Sequence, residues 1–146
     1  MKPIDTTPPA QTHTLAFEVH LSQPPEKVWR ALTGPKLLAE WLLPSAGFAP
    51  EPGRSFTLQA PPQPGWDGKV SCRVVDMEPL RRLSYTWVVG DLDTVVTFTL
   101  EPGSSGTVLT IVHSGFKPEQ KHNFGGARYG WRMMGQRLID LIQNPE

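Results

Sequence analysis

The sequence predicts an α+β domain in which a curved antiparallel sheet closes around one long C-terminal helix. Three observations carry that expectation. Segments with apolar residues at every second position fill the middle of the chain. Short turn signals separate them, so consecutive strands should pair with one another. One long stretch with helical spacing stands near the end, and only it can cover the apolar face that such a sheet leaves open.

Size and composition support one domain. At 146 residues the chain can bury a core without metal or disulfide staples. Lys+Arg and Asp+Glu both number 14, for a formal charge of zero. No basic run supplies the electrostatic footprint of a nucleic-acid binder. No apolar run approaches the ~18 residues of a membrane span. The opening MKPIDTTPPAQTH has no hydrophobic segment of the kind a signal peptide carries. Cys72 is the one cysteine and has no partner for an internal disulfide. Together these features point to the cytoplasm.

Residues 1–12, rich in Pro and Thr and without a period, read as a loose tail ahead of a domain spanning 13–146. In TLAFEVHL, Leu15, Phe17, Val19 and Leu21 share one face while Glu18 and His20 share the other, the pattern of a half-buried strand. QPPEKVWRALTG follows as a helix. Its prolines suit a first turn, where a missing N–H costs little, and Val28, Trp29 and Leu32 recur at helical spacing. Gly34 and Pro35 stop it. A second short helix, KLLAEWL, sets Leu38, Trp41 and Leu42 on one face.

From Gly53 the pattern turns to strands. Phe56 and Leu58 alternate in RSFTLQ, and the Pro/Gly loop APPQPGWDG carries one bulky residue, Trp66. Then come KVSCRVVDM, RRLSYTWVV, DTVVTFTL and GTVLTIVHS, separated by Glu78-Pro79, Gly90-Asp91 and EPGSSG. Four strands in series with short turns form an antiparallel meander. The last element is the long helix, from about residue 118 to 142.

On that helix Phe124, Ala127, Trp131, Met134, Gly135, Leu138, Leu141 and Ile142 fall on one stripe, which faces the sheet. Arg132, Gln136 and Asp140 fall opposite. Tyr129 and Met133 also point outward, an apolar pair that suggests weak homodimerisation. Gly135 is out of place, because glycine inside a helix costs about 1 kcal/mol relative to alanine. Either a close neighbour occupies the space above it, or it opens a hollow with Met134 as an adaptable wall. Periodicity leaves both open.

Strand parity gives candidate pocket walls: Leu83, Tyr85 and Trp87 share one face of their strand, Thr94, Val96, Phe98 and Leu100 one face of the next, and Leu109, Ile111 and His113 one face of the last. An inward His113 could orient a ligand or act as a base; the reading weighed above these is a core histidine satisfied by a carbonyl or a tyrosine. His13, His20, His113 and His122 are scattered, and no Cys/His/Asp group has metal-ligand spacing. No catalytic set, metal or cofactor is expected. GSSG lacks the strand-to-helix elbow of a nucleophile motif. Cys72 alternates with Val70 and Val74 as a small buried hydrophobe, Arg81 and Arg82 read as solvated, and Trp66 is either a lip over a pocket or a loop anchor.

The pieces PPEKVWRALTGPKLLAEWL, PLRRLSYTWV, TVVTFTLEPGSSGTVLTIVHSGF and GWRMMGQRLIDLI resemble the bacterial single-domain proteins related to the C-terminal domain of the Hsp90 ATPase activator Aha1. These belong to the START-like or Bet v 1-like (SRPBCC) superfamily. The match covers about residues 14–143. The resemblance implies the helix-grip fold, and with it a cavity between sheet and helix for a small apolar or amphipathic ligand such as a lipid, sterol or polyketide. Its expected lining is Trp41, Phe56, Trp66, Tyr85, Trp87, Phe98, His113, Trp131, Met134 and Gly135. The family commonly has leucine where this chain has Gly135, which implies an enlarged hollow there and stabilisation by leucine. Two other functions stand beside ligand binding. One is an Hsp90-associated role, doubtful for a chain with only a short tail before its domain. The other is a cyclase or dehydratase with His113 as acid or base.

Overall fold

The computed structural model describes residues 2–143. The strands are β1 (Ile4–Asp5), β2 (Thr14–Leu21), β3 (Ser45–Ala46), β4 (Ser55–Gln59), β5 (Lys69–Glu78), β6 (Arg82–Val89), β7 (Leu92–Pro102) and β8 (Thr107–Ser114). Two short helices, α1 (Pro25–Thr33) and α2 (Pro35–Trp41), sit between β2 and β3. A single 3-10 turn (Pro118–Gln120) leads into the long helix α3 (Lys121–Gln143). All strands form one antiparallel sheet of order β1-β2-β8-β7-β6-β5-β4-β3. This is the expected helix-grip: the sheet curves and α3 lies in its concave face.

Local chemistry explains the main elements. In β2 burial alternates along the strand, and Leu15, Phe17 and Val19 are wholly buried. The meander from β4 to β8 pairs in sequence order, as its short turns require. A register shift in β5 between Val74 and Asp76 adds a residue to one strand only, which bends it and deepens the curl. Both short helices begin with proline in the first turn. Between them a Cβ on Gly34 would lie 2.9 Å from the Arg30 carbonyl oxygen, so this close approach excludes a side chain.

The N-terminal segment departs from the expectation of a loose tail. Ile4 and Asp5 pair with Glu18 and Phe17, adding an edge strand to β2. The Thr6 N–H donates to the Ala16 carbonyl (2.9 Å), and the Thr7 hydroxyl both accepts from the Ala16 N–H (3.0 Å) and donates to its carbonyl (3.3 Å). The Asp5 carboxylate lies 3.1 Å from the guanidinium groups of both Arg128 and Arg132 on α3. Residues 3–7 therefore form a strap that joins the sheet edge to the helix.

The strap also settles Gly135. A Cβ there would stand 2.6 Å from Cγ and 3.2 Å from Cβ of Pro3. The glycine accepts the proline ring by close packing. The expected hollow is absent at this point, and the expectation that leucine would stabilise is reversed. Tyr129 and Met133, by contrast, stand exposed on the outer face as the helical wheel placed them.

Gly135→Leu should therefore lower stability by about 1–3 kcal/mol, the usual cost of overpacking, despite the gain in helix propensity. Pro3→Gly in the same chain should remove most of that loss. Thermal melts of the two single variants and the double variant check this. Additive effects would mean that Pro3 and Gly135 do not pack together.

Candidate functional site

The concave side of the sheet and the inner face of α3 bring an aromatic series together. It runs Phe48, Phe56, Tyr85, Phe98, Trp131, His113, Phe116, Phe124, with successive ring centroids 4.7–5.9 Å apart. Most contacts are edge-to-face or tilted, the arrangement that the ring quadrupole favours. Trp41 stands edge-on to Phe98 at 6.1 Å and donates its indole N–H back to the Ala31 carbonyl (2.8 Å). Trp87 touches both Trp131 (5.8 Å) and His113 (5.7 Å).

At the centre His113 points inward, as parity predicted. The Thr94 hydroxyl donates to the Trp87 carbonyl (2.7 Å), so toward His113 Nε2 (2.7 Å) it must accept. The Trp131 indole N–H donates to His113 Nδ1 (3.0 Å). These roles fix the Nε2–H tautomer and occupy both ring nitrogens. Burial pushes the imidazole pKa down to about 3. A ring with no open nitrogen, held neutral, can serve as neither acid nor base toward a ligand. Of the two alternatives for His113 the geometry favours the core histidine, with threonine and tryptophan as its partners rather than a carbonyl or tyrosine.

Of the ten expected lining residues, Trp41, Phe56, Tyr85, Phe98, His113 and Trp131 meet in this buried series. Trp87 and Met134 are half-buried at its margin. Met134 folds along the helix, its Cε near the empty side of Gly130, where a Cβ would be 3.5 Å away. Trp66 makes none of these ring contacts. Its indole N–H donates to the Lys69 carbonyl (3.0 Å) and its backbone pairs with Gln63, so it anchors its own loop. Gly135 is covered by Pro3. The touching rings fill this part of the grip. Concavities open elsewhere, between α1, α2 and the end of α3, and beside the β5–β6 turn.

Phe48 and Phe116 were missed from the sequence, yet a signal was present. Both sit in Gly-Phe-x-Pro loops, Gly47 to Pro50 and Gly115 to Pro118. Both glycines have positive φ (79° and 106°). That conformation favours glycine, and at both places the phenylalanine that follows it is buried.

One polar atom in the series stands out. Tyr85 is 1% exposed, and among the described residues its hydroxyl has no hydrogen-bond partner. Burial, with a smaller contribution from Cys72, raises its pKa well above the ordinary value, so it stays a neutral O–H donor. The Cys72 thiol is itself pushed up to about 12 by burial. Among the described residues no group of three or more His, Cys, Asp or Glu could hold a metal ion, and no helix is long and apolar enough to cross a membrane.

Comparison with known proteins agrees with this architecture. The profile described as "Activator of Hsp90 ATPase homolog 1-like protein" matches residues 22–143. A crystal structure of protein MLL2253 from Mesorhizobium loti is 41% identical, covers 91% of this chain and 98% of its own, and superposes with a TM-score of 0.85. The solution structure of Bacillus halodurans protein BH1534 is 30% identical over 98% of this chain and 100% of its own, at a TM-score of 0.75. A Rhodobacter sphaeroides protein is 25% identical over 99% and 100%, at 0.77. No curated protein matches the chain.

The lowered His113 pKa has a consequence for stability. In the unfolded chain the imidazole takes a proton below about pH 6.5, whereas in the fold it does so only near pH 3. Stability should therefore fall as pH drops from about 6.5 toward 3, at up to about 1.4 kcal/mol per pH unit from this group. Denaturant melts of the wild type and His113→Gln across that range check it, since the variant should lack this component of the slope. Parallel slopes would contradict a neutral His113.

Proposed function

The chain belongs to the Activator of Hsp90 ATPase homolog 1-like family, and from that premise we propose that it binds a small amphipathic molecule between α3 and the sheet, with the Tyr85 hydroxyl donating to an oxygen of the ligand. The observation that carries this reading is the buried phenol without a protein partner. An unsatisfied buried polar group costs roughly 1–3 kcal/mol, and a ligand oxygen placed among these rings would recover that cost. The surrounding Phe48, Phe56 and Phe98 rings suit an apolar body such as a lipid, sterol or polyketide. A high phenol pKa keeps the proton on Tyr85 and selects a carbonyl or hydroxyl acceptor.

Because the rings already touch, entry requires side chains to move. Met134 is the mobile candidate, with its unbranched chain lying over Gly130. Trp87, also half-buried, touches Trp131 on the same helix. Binding then draws on an opened minor state rather than a standing void, and the affinity is reduced by the cost of opening. The family description also raises contact with Hsp90 as a second reading. A lysate pull-down with and without nucleotide separates the two.

Tyr85→Phe provides the test. Deleting the orphaned hydroxyl should raise stability by about 1 kcal/mol, and it should weaken binding of the naphthyl ketone prodan by about fivefold, the value of one lost hydrogen bond. Thermal melts and a fluorescence titration give both readouts. Unchanged prodan affinity together with lower stability would mean that the phenol serves the fold and not a ligand.

A further inference from the structure

One opening lies outside the grip and takes no part in the aromatic series. It is a cleft of about 750 Å³ between α1, α2 and the last turn of α3. That volume falls within the roughly 300–1,000 Å³ of small-molecule sites. Its floor is apolar, with Ala31 and Ile142 buried and Leu37 and Leu141 half-buried. Its rim carries Lys27, Arg30 and Lys36 against a single acid, Glu40.

The charge of the rim is unusual for this chain, in which acids and bases balance at 14 each. Among the described residues none of the three cations has an ion-pair partner. Lys27 and Arg30 are three apart on α1 and so project from the same side of the helix. Lys36 is in the first turn of α2, which has no acidic residue there, and a cation at a helix N-terminus is disfavoured by the helix dipole. Among the described residues the rim thus gathers three cations with no ion-pair partner against one acid, above a floor that water solvates poorly. An acyl chain with an anionic head complements both.

We propose that this cleft binds a free single-chain carboxylate of fatty-acid type. The chain lies on Leu37, Leu141 and Ile142, and the carboxylate meets Arg30, whose planar fork can engage both oxygens, with Lys27 and Lys36 beside it. This site is separate from the one under α3 and does not depend on it.

Amide NMR of the full chain, titrated with decanoate below its micellar concentration, tests the proposal. Shifts should concentrate on α1, α2 and the last turn of α3. The double variant Arg30→Glu/Lys36→Glu changes two exposed side chains. It should melt at the wild-type temperature and bind decanoate at least about tenfold more weakly. Decanol, which lacks the charge, should bind at least about tenfold more weakly to the wild type. The proposal is overturned if these elements do not respond, if decanol equals decanoate, or if the double variant binds normally. Shifts confined to the surroundings of Tyr85 would also overturn it while supporting the grip site. Co-sedimentation with phosphatidylglycerol vesicles that needs Arg30 and Lys36, without binding of monomeric decanoate, would assign the cleft to a membrane surface instead.

Discussion

The Trp131 indole donates to His113, His113 donates to Thr94, and Thr94 donates to the Trp87 carbonyl. This chain of hydrogen bonds crosses from α3 through β8 and β7 to β6, and much of the interior is arranged around it. Each member satisfies a buried polar atom of the next, so losing one leaves others orphaned at roughly 1–3 kcal/mol each. The relay fixes the azimuth of α3 on the sheet, and it holds Trp131 where its ring meets Phe98 and Trp87. Packing could fill the same volume in many ways; the relay selects one. It also explains why an inward histidine here is not a reactive one.

A second tie acts at the other flank of the helix. Asp5 faces Arg128 and Arg132, and Pro3 packs on Gly135. The relay secures the face of α3 that looks into the sheet, and the strap secures the side that looks toward β2. The half-buried flank with Ala127, Met134 and Leu141 has neither kind of tie.

Much of the fold was legible because its strands are long enough to display a period. β2 and β5 to β8 each hold several apolar residues at every second position, and turn chemistry separates them. β1 and β3 were not legible, since two residues carry no period. Composition marked the N-terminal segment as a loose tail. It becomes a strap only because β2 offers an unpaired edge, a fact of tertiary structure. The buried faces of β6, β7 and β8 were largely legible from parity, and His113 pointed the way parity said. Its partners were not, because Thr94, Trp87 and Trp131 come from three other elements. The reason for Gly135 lay at the opposite end of the chain, where no local pattern on α3 could reveal it. Phe48 and Phe116 hid in loops, where alternation says nothing.

The order of the sheet also bears on how the chain is made. β2 pairs on one side with β8, so Leu15 lies opposite His113 and Leu21 opposite Thr107. A ribosome adding about 5–20 residues per second needs on the order of 5–20 s between the end of β2 and the end of β8. Throughout that interval the alternating face of Leu15, Phe17, Val19 and Leu21 has no strand beside it except the two residues of β1. Non-local pairings of this kind fold slowly and leave edges open to other chains. A nascent chain interrupted before β8 carries a sticky, unmatched strand near its N-terminus, so the last quarter of the sequence protects the first.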